Sequence, residues 1–305
     1  MLRFVIRRLL VIIPTLFLVI TLSFFMMRAA PGTPFQTGRK LPAAIEQNVM
    51  RRFGMDRPLG VQYLNYLVGV VHGDFGPSLK YRDKTVAQII AEGFPKSLIL
   101  GLTSLGLATI IGVGLGVVAA LWQNRSPDYI VIFIAVLGVC VPTFVTAPLL
   151  VLVLGSKLGL LPLAGWGQPQ NLVMPIMVLT LPQIAIISRL TRAGMIETLR
   201  SNFVRTARAK GLSAGRIVLR HTLPAALLPL VSYLGPACAG LITGSLVVEQ
   251  IFNIPGLGRY FVVSALQRDY TVVMGVVILY SALVMLMNLV ADVLYAALDP
   301  RVVLT

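Results

Sequence analysis

Six stretches of this chain are each apolar over about the length a helix needs to cross a bilayer, at residues 9–27, 98–121, 129–154, 172–188, 225–248 and 272–298. One water-facing core cannot enclose so many. Of the 305 residues 57% are hydrophobic and only 12% charged, and the mean hydropathy is +0.86, so the solvent of this chain is a membrane. The expected fold class is an all-α polytopic membrane protein with six transmembrane helices. Pro142, Pro148 and Pro182 interrupt the runs, which neighbouring helices accommodate in membranes although such residues would break most soluble helices.

Charge asymmetry orients the bundle. Residues 189–220 carry Arg189, Arg192, Arg200, Arg205, Arg208, Lys210, Arg216 and Arg220 against Glu197 alone, and loops rich in Lys and Arg stay in the cytoplasm. Arg3, Arg7 and Arg8 place the N-terminus on the same side, and six spans return the C-terminus there. The loop at 28–96 is also basic, with ten Lys or Arg against five Asp or Glu. Loops beyond about 60 residues cross largely regardless of charge, so it is placed outside together with 155–171 and 249–271. The first span, preceded by arginines and followed by Ala29-Ala30, has the layout of a secretory signal. Its apolar run exceeds the usual signal core of about 7–15 residues and ends at Arg28, so it reads as a retained anchor.

A net charge of +15 in a soluble protein would point to nucleic acid. Here the charge lies in membrane-flanking loops, and no zinc finger, basic zipper or interleaved aromatic platform accompanies it. A phosphate-cradling Gly-x-x-x-x-Gly-Lys-Ser/Thr loop needs a Gly-Lys pair, which the chain lacks, so any ATP that drives it binds to another subunit. His72 and His221 are isolated and support neither a metal site nor a nucleophile–base pair. Catalytic, cofactor and metal residues are therefore assigned to none of the chain. Cys140 and Cys238 fall inside apolar spans and read as small packing residues. Asp292, near the cytoplasmic end of the sixth span, is the one ionisable residue placed clearly within a span, and structural pairing is its favoured reading. So few intramembrane acids argue against a proton- or sodium-driven carrier. Gly112 and Gly116, a Gly-x-x-x-Gly pair in the second span, permit close helix approach.

Between the fourth and fifth spans runs RTARAKGLSAGRIVLRHTLP, from Arg205 to Pro224, too polar to be buried in lipid. Its spacing predicts a short helix around 202–210 ended by Gly211, then a second helical stretch reaching Leu223 before Pro224 opens the fifth span. The result is a compact projection whose tip is Arg205, Thr206, Ala207, Arg208, Ala209, Lys210 and Gly211, with Leu223 and Pro224 on its return. On charge alone such a projection serves either docking to a partner or contact with anionic headgroups.

The loop resembles the cytoplasmic signature of binding-protein-dependent ABC transporter permeases: Glu-Ala-Ala, three residues, Gly, nine residues, Ile, any residue, Leu-Pro. Gly211, Leu223 and Pro224 fall on that spacing and Ala207 on its second alanine. Arg205, Thr206 and His221 depart in letter, and Arg-Thr-Ala-Arg-Ala-Lys-Gly is the form usual in the peptide branch. IRRLLVIIPTLFLVITLSFFMMRAAPG at the start, HGDFGPS at 72–78, SNFVRTARAKGL, ITGSLVVEQIF and PGLG extend the resemblance over the whole chain, to Asp299-Pro300-Arg301. It is to the B-type inner-membrane subunit of peptide permeases, and the first and fourth strings are more similar to the oligopeptide than to the dipeptide branch.

The resemblance implies a type I ABC importer permease fold in a bacterial inner membrane, with residues 1–97 holding the first transmembrane helix and a long extracytoplasmic loop and 98–305 the permease core. It implies that the projection is a coupling helix seated in a groove of an ATPase subunit. The implied partners are a homologous C-type permease, two ATPase subunits that hold ATP and Mg, and an extracytoplasmic peptide-binding protein. Peptide then passes through a cavity between the two permeases. No cofactor is expected in this chain. The segment Glu249 to Gly258, EQIFNIPGLG, is similar to a Glu-Thr-Ile-Phe…Pro-Gly-Leu-Gly element of peptide permeases. Pro255, Gly256 and Gly258 break helix, which makes Glu249, Pro255, Gly256, Leu257 and Gly258 either an outer gate or an ordinary outer turn. HGDFGPS is either a contact for the binding protein or a folded cap over the outer helix ends.

Overall fold

The computed structural model describes residues 2–29, 56–81 and 83–298; Ala30 and Asp299-Pro300-Arg301, invoked above, lie outside them. Helix α1 spans Leu2–Ala29 and α2 Leu59–Val71. Then α3 covers Val86–Leu121, and its start lies well before the apolar run that marks it in the sequence. Thr85 caps it: the hydroxyl accepts from Gln88 N–H at 3.2 Å and the Gln88 side chain accepts from Thr85 N–H at 2.9 Å. This reciprocal pair satisfies two orphan donors and lets helix begin in polar sequence. Ser97, at the boundary expected between the two parts of the chain, thus lies inside α3.

The third span is not continuous. Helix α4 (Ser126–Cys140) meets α5 (Thr143–Leu150) at a bend of 98°, and α5 runs on as a π-helical turn over Val151–Lys157. Val141 precedes Pro142 and takes an extended backbone, φ −91° and ψ 112°, because the proline ring excludes it from the helical region. Cys140 is exposed at this bend rather than packed, whereas Cys238 is buried. Helix α6, Pro169–Leu199, is the fourth span. After the projection, α10 (Leu228–Gly244) and α11 (Leu246–Ile251) form the fifth, α12 covers Leu257–Leu266, and α13 (Tyr270–Leu298) is the sixth. Among the described residues five helices are thus long and apolar enough to cross a membrane, or six when the bent pair is taken as one span.

Small residues set the helix packing. A Cβ on Gly116 of α3 would come within 2.6 Å of Ser188 O of α6, and one on Gly112 within 2.9 Å of the Ile187 side chain. Gly101 of α3 fits in the same way against Ile242 of α10, and Gly138 of α4 against Leu181 O of α6. Lipid supplies no hydrophobic drive between helices, so close backbone approach and dispersion hold them. The central core joins Leu100, Met174, Ile187, Ile242 and Phe252. Helix α1 lies antiparallel to α13: Arg8 pairs with Asp292 at 2.9 Å at one end, and Phe24 shares a cavity with Met274 at the other. Asp292 is paired as expected, with Arg8 of α1 as its partner.

Candidate functional site

The projection has a small core of its own. Helix α7, Asn202–Ala209, turns Val204 and Ala207 inward onto Ile217 and Leu212, while Arg205, Thr206, Arg208, Ala209 and Lys210 face out. Gly211 reverses the chain at φ +75°, donating its N–H to Arg208 O at 2.9 Å. Nothing lies within 4 Å of where its Cβ would be, so glycine is required there by backbone conformation alone. The return runs through α8 (Ala214–Arg216), a π-helical segment Ile217–Thr222 and α9 (Leu223–Ala226). Six of the nine residues singled out in sequence share the exposed tip; Ala207 belongs to the inner core, and Leu223 and Pro224 stand in the return stalk. Phe203, 49% exposed beside the arginines, is an apolar member of this surface that charge patterning does not reveal.

At the opposite end of the bundle, Glu249 is fully buried in α11. Its Oε1 accepts from Ser97 Oγ of α3 at 2.7 Å and from Ser245 Oγ at 2.6 Å; its Oε2 accepts from Arg259 N–H at 3.2 Å. Ser97 Oγ in turn accepts from Leu257 N–H at 2.9 Å. The Pro255–Gly258 turn is therefore folded over this carboxylate. Gly256 has an ordinary φ of −88°, so its glycine is needed for space: a Cβ would strike the Glu249 carboxylate and come within 2.8 Å of Ser97 Oγ. The residue with left-handed backbone is Asn253, at φ 54°. Leu257 does not line an open path but packs with Val86, Ile89, Val272 and Val276.

HGDFGPS lies across the same end. Ser78 Oγ donates to Asp269 Oδ2 at 2.5 Å, and Leu79 and Lys80 N–H reach the same carboxylate, each at 3.2 Å. Asp269 also caps α13, accepting from Val272 N–H at 3.4 Å. Phe75 packs against the cluster that holds Leu257, and Tyr81 meets the Tyr260 ring edge-on at 5.4 Å. Burial first, then the neighbouring Tyr260 and Asp269, raise the Tyr81 phenol above its ordinary range. This geometry is a folded cap on the helix ends, one of the two roles open from the sequence.

Asp292 is not alone among acids in the spans. Glu249 is joined by Asp128, 1% exposed in the first turn of α4 and paired with Arg192 of α6. Glu249 follows the fifth apolar run and Asp128 precedes the third, so neither falls within a run marked from the sequence. Arg192, a cation late in a long apolar helix, is the signal that could have found the pair. Among the described residues no group of acids, histidines and cysteines could hold a metal ion.

A bundle of apolar spans carrying a two-helix projection between the fourth and fifth is the architecture of an ABC importer permease. Residues 112–304 match the family described as "Binding-protein-dependent transport system inner membrane component", and residues 1–101 its N-terminal companion. The chain belongs to this family and is a multi-pass membrane permease subunit rather than an enzyme. It is 50% identical over 304 residues to the oligopeptide transport system permease protein OppB of Escherichia coli K12, covering 99% of both chains. To the dipeptide transport system permease protein DppB of Bacillus subtilis it is 41% identical over 302 residues, covering 99% of this chain and 98% of that one. Among solved structures, the inward-facing MetNI methionine ABC transporter shares the fold at 20% identity. The TM-score is 0.59, over 70% of this chain and 97% of that one.

Proposed function

We propose that this chain is the B-type permease of an ATP-driven importer of peptides, oligopeptides above all. In this reading it pairs with a homologous C-type permease, takes peptide from an extracytoplasmic binding protein, and works with two ATPase subunits that hold ATP and Mg. Both termini and the projection face the cytoplasm of a bacterial inner membrane in this reading, which the arginines of 189–220 support. The observation that carries the reading is the projection: Arg205, Arg208 and Lys210 stand exposed on a short helix locked by Gly211. Such a tip suits a groove on a soluble partner, and its own small core lets it act as a rigid lever. Full-length similarity to OppB, higher than to DppB, supports oligopeptide as the substrate class.

The end opposite the projection supplies the gate in this proposal. Glu249, Pro255, Gly256, Leu257 and Gly258 form a latch in which one carboxylate holds α3, α11 and α12 together. Opening toward the binding protein would release it. The whole reading is tested in proteoliposomes holding both permeases and both ATPases. Uptake of a radiolabelled oligopeptide should require ATP inside and binding protein outside. Uptake that proceeds without ATPase subunits would refute it.

A further inference from the structure

We propose that Asp128 and Arg192 are a positioning pair that makes the third span move with the stalk of the projection; this rests on the coupling role proposed above. Arg192 donates from Nε to Asp128 Oδ1 at 2.6 Å and from Nη2 to Oδ2 at 2.7 Å. This two-pronged fork fixes direction as well as distance. Asn124, with left-handed backbone at φ 59°, turns α3 into α4 and gives its N–H to the same carboxylate at 2.9 Å. Just past the end of α6, Arg200 Nη2 reaches Gln123 Oε1 at 3.3 Å. The α3–α4 turn is thus held at two points, to Arg192 within α6 and to Arg200 at its C-cap, just before α7 begins at Asn202. Next to the pair, Gly194 of α6 lies so close to the Ala226 backbone of α9 that no Cβ would fit. Around Gly194 the end of α3, α6 and the return stalk pack together, with Ala120, Met195 and Ala226 in one cluster.

The third span then leads to the other end of the molecule. Beyond the 98° bend, Ala147 of α5 packs in the core that holds Val248, Phe252 and Ile254. Gly165 N–H donates to Phe252 O at 2.8 Å. The α4–α5 unit therefore joins the base of the projection to the segment built around Glu249. Two apolar side chains of similar volume would hold α4 to α6 as firmly, since a buried ion pair loses much of its attraction to desolvation. What the charged fork adds is a single relative orientation of the two helices, which a lever requires.

The assembled complex of permeases, ATPases and binding protein tests this with Asp128→Asn, Arg192→Gln, the double variant and Asp128→Glu. ATPase co-purification should stay at the wild-type level in all four, because the tip is untouched. Oligopeptide taken up per ATP hydrolysed should fall roughly three- to tenfold in each neutral single variant. It should fall no further in the double variant, and recover in part with Asp128→Glu, which keeps the charge. Wild-type transport per ATP in Asp128→Asn overturns the proposal, as do losses that add in the double variant. If a single variant does not assemble, the double variant, which leaves no orphan charge, decides: wild-type transport per ATP there overturns the proposal and an uncoupled complex supports it. The coupling role of the tip has its own readout, retention of ATPase by Arg208→Glu, which can fail without altering the Asp128 result.

Discussion

Gly211 and Glu249 show two ways in which one residue fixes a functional segment. At Gly211 the demand is backbone conformation, φ +75° with open space around it. An L-residue there costs about 1–2 kcal/mol, and more when β-branched. Gly211→Val should lower ATPase co-purification several-fold while leaving membrane insertion intact, and Gly211→Asn should lower it far less; equal retention in both variants would remove the conformational argument. At Glu249 the demand is for an acceptor. Replacing it by alanine leaves the Ser97 and Ser245 hydroxyls and the Arg259 N–H unpaired, at about 1–3 kcal/mol for each buried orphan. Glu249→Ala should therefore lower the melting temperature of the solubilised complex well below that of Glu249→Gln, which keeps one carbonyl acceptor. Gly211 was legible because its φ follows from a local pattern of helix, glycine and return. The partners of Glu249 were not, because Ser97 stands 152 positions away and no local periodicity encodes that pairing.

Helices were legible where apolar length decides them and less so where proline or long-range packing does. The runs at 98–121 and 172–188 mark α3 and α6 but miss their polar extensions, Val86 onward and on to Leu199. The capping box at Thr85 and the charged end of α6 decide those limits. The bend after Cys140 was hidden in a single apolar run, since Pro142 is compatible with either a kink or a break. The Gly112–Gly116 pair was read as a close-approach face, and the fit of both glycines against Ile187 and Ser188 gives it a partner, α6. Gly116→Leu should accordingly push α3 from α6 and destabilise the permease by about 1–3 kcal/mol or more, since the clash is with the Ser188 backbone. Gly114→Leu, where a Cβ meets nothing within 4 Å, should be close to neutral. The yield of folded protein on size-exclusion chromatography separates them, and equal yields would contradict the packing assignment.

At the scale of the whole molecule, the N-terminal arginines, the α13 C-terminus and the projection all lie at one end, shown by Arg8 against Asp292 and by Tyr295 sharing a cavity with Phe203. The HGDFGPS cap and the Glu249 latch lie at the other. This two-ended layout puts the termini and the projection on one side of the bundle, and in the proposed reading it separates the surface offered to the ATPase from the one offered to the binding protein. The account stands on the first of those surfaces. Arg208→Cys in a background lacking Cys140 and Cys238, carrying a photoactivatable cross-linker in the assembled complex, measures it directly. The account predicts capture of the ATPase subunit and reaction of position 208 with impermeant thiol reagent only from the cytoplasmic side. Reaction from outside, or cross-linking that never captures the ATPase, would contradict it.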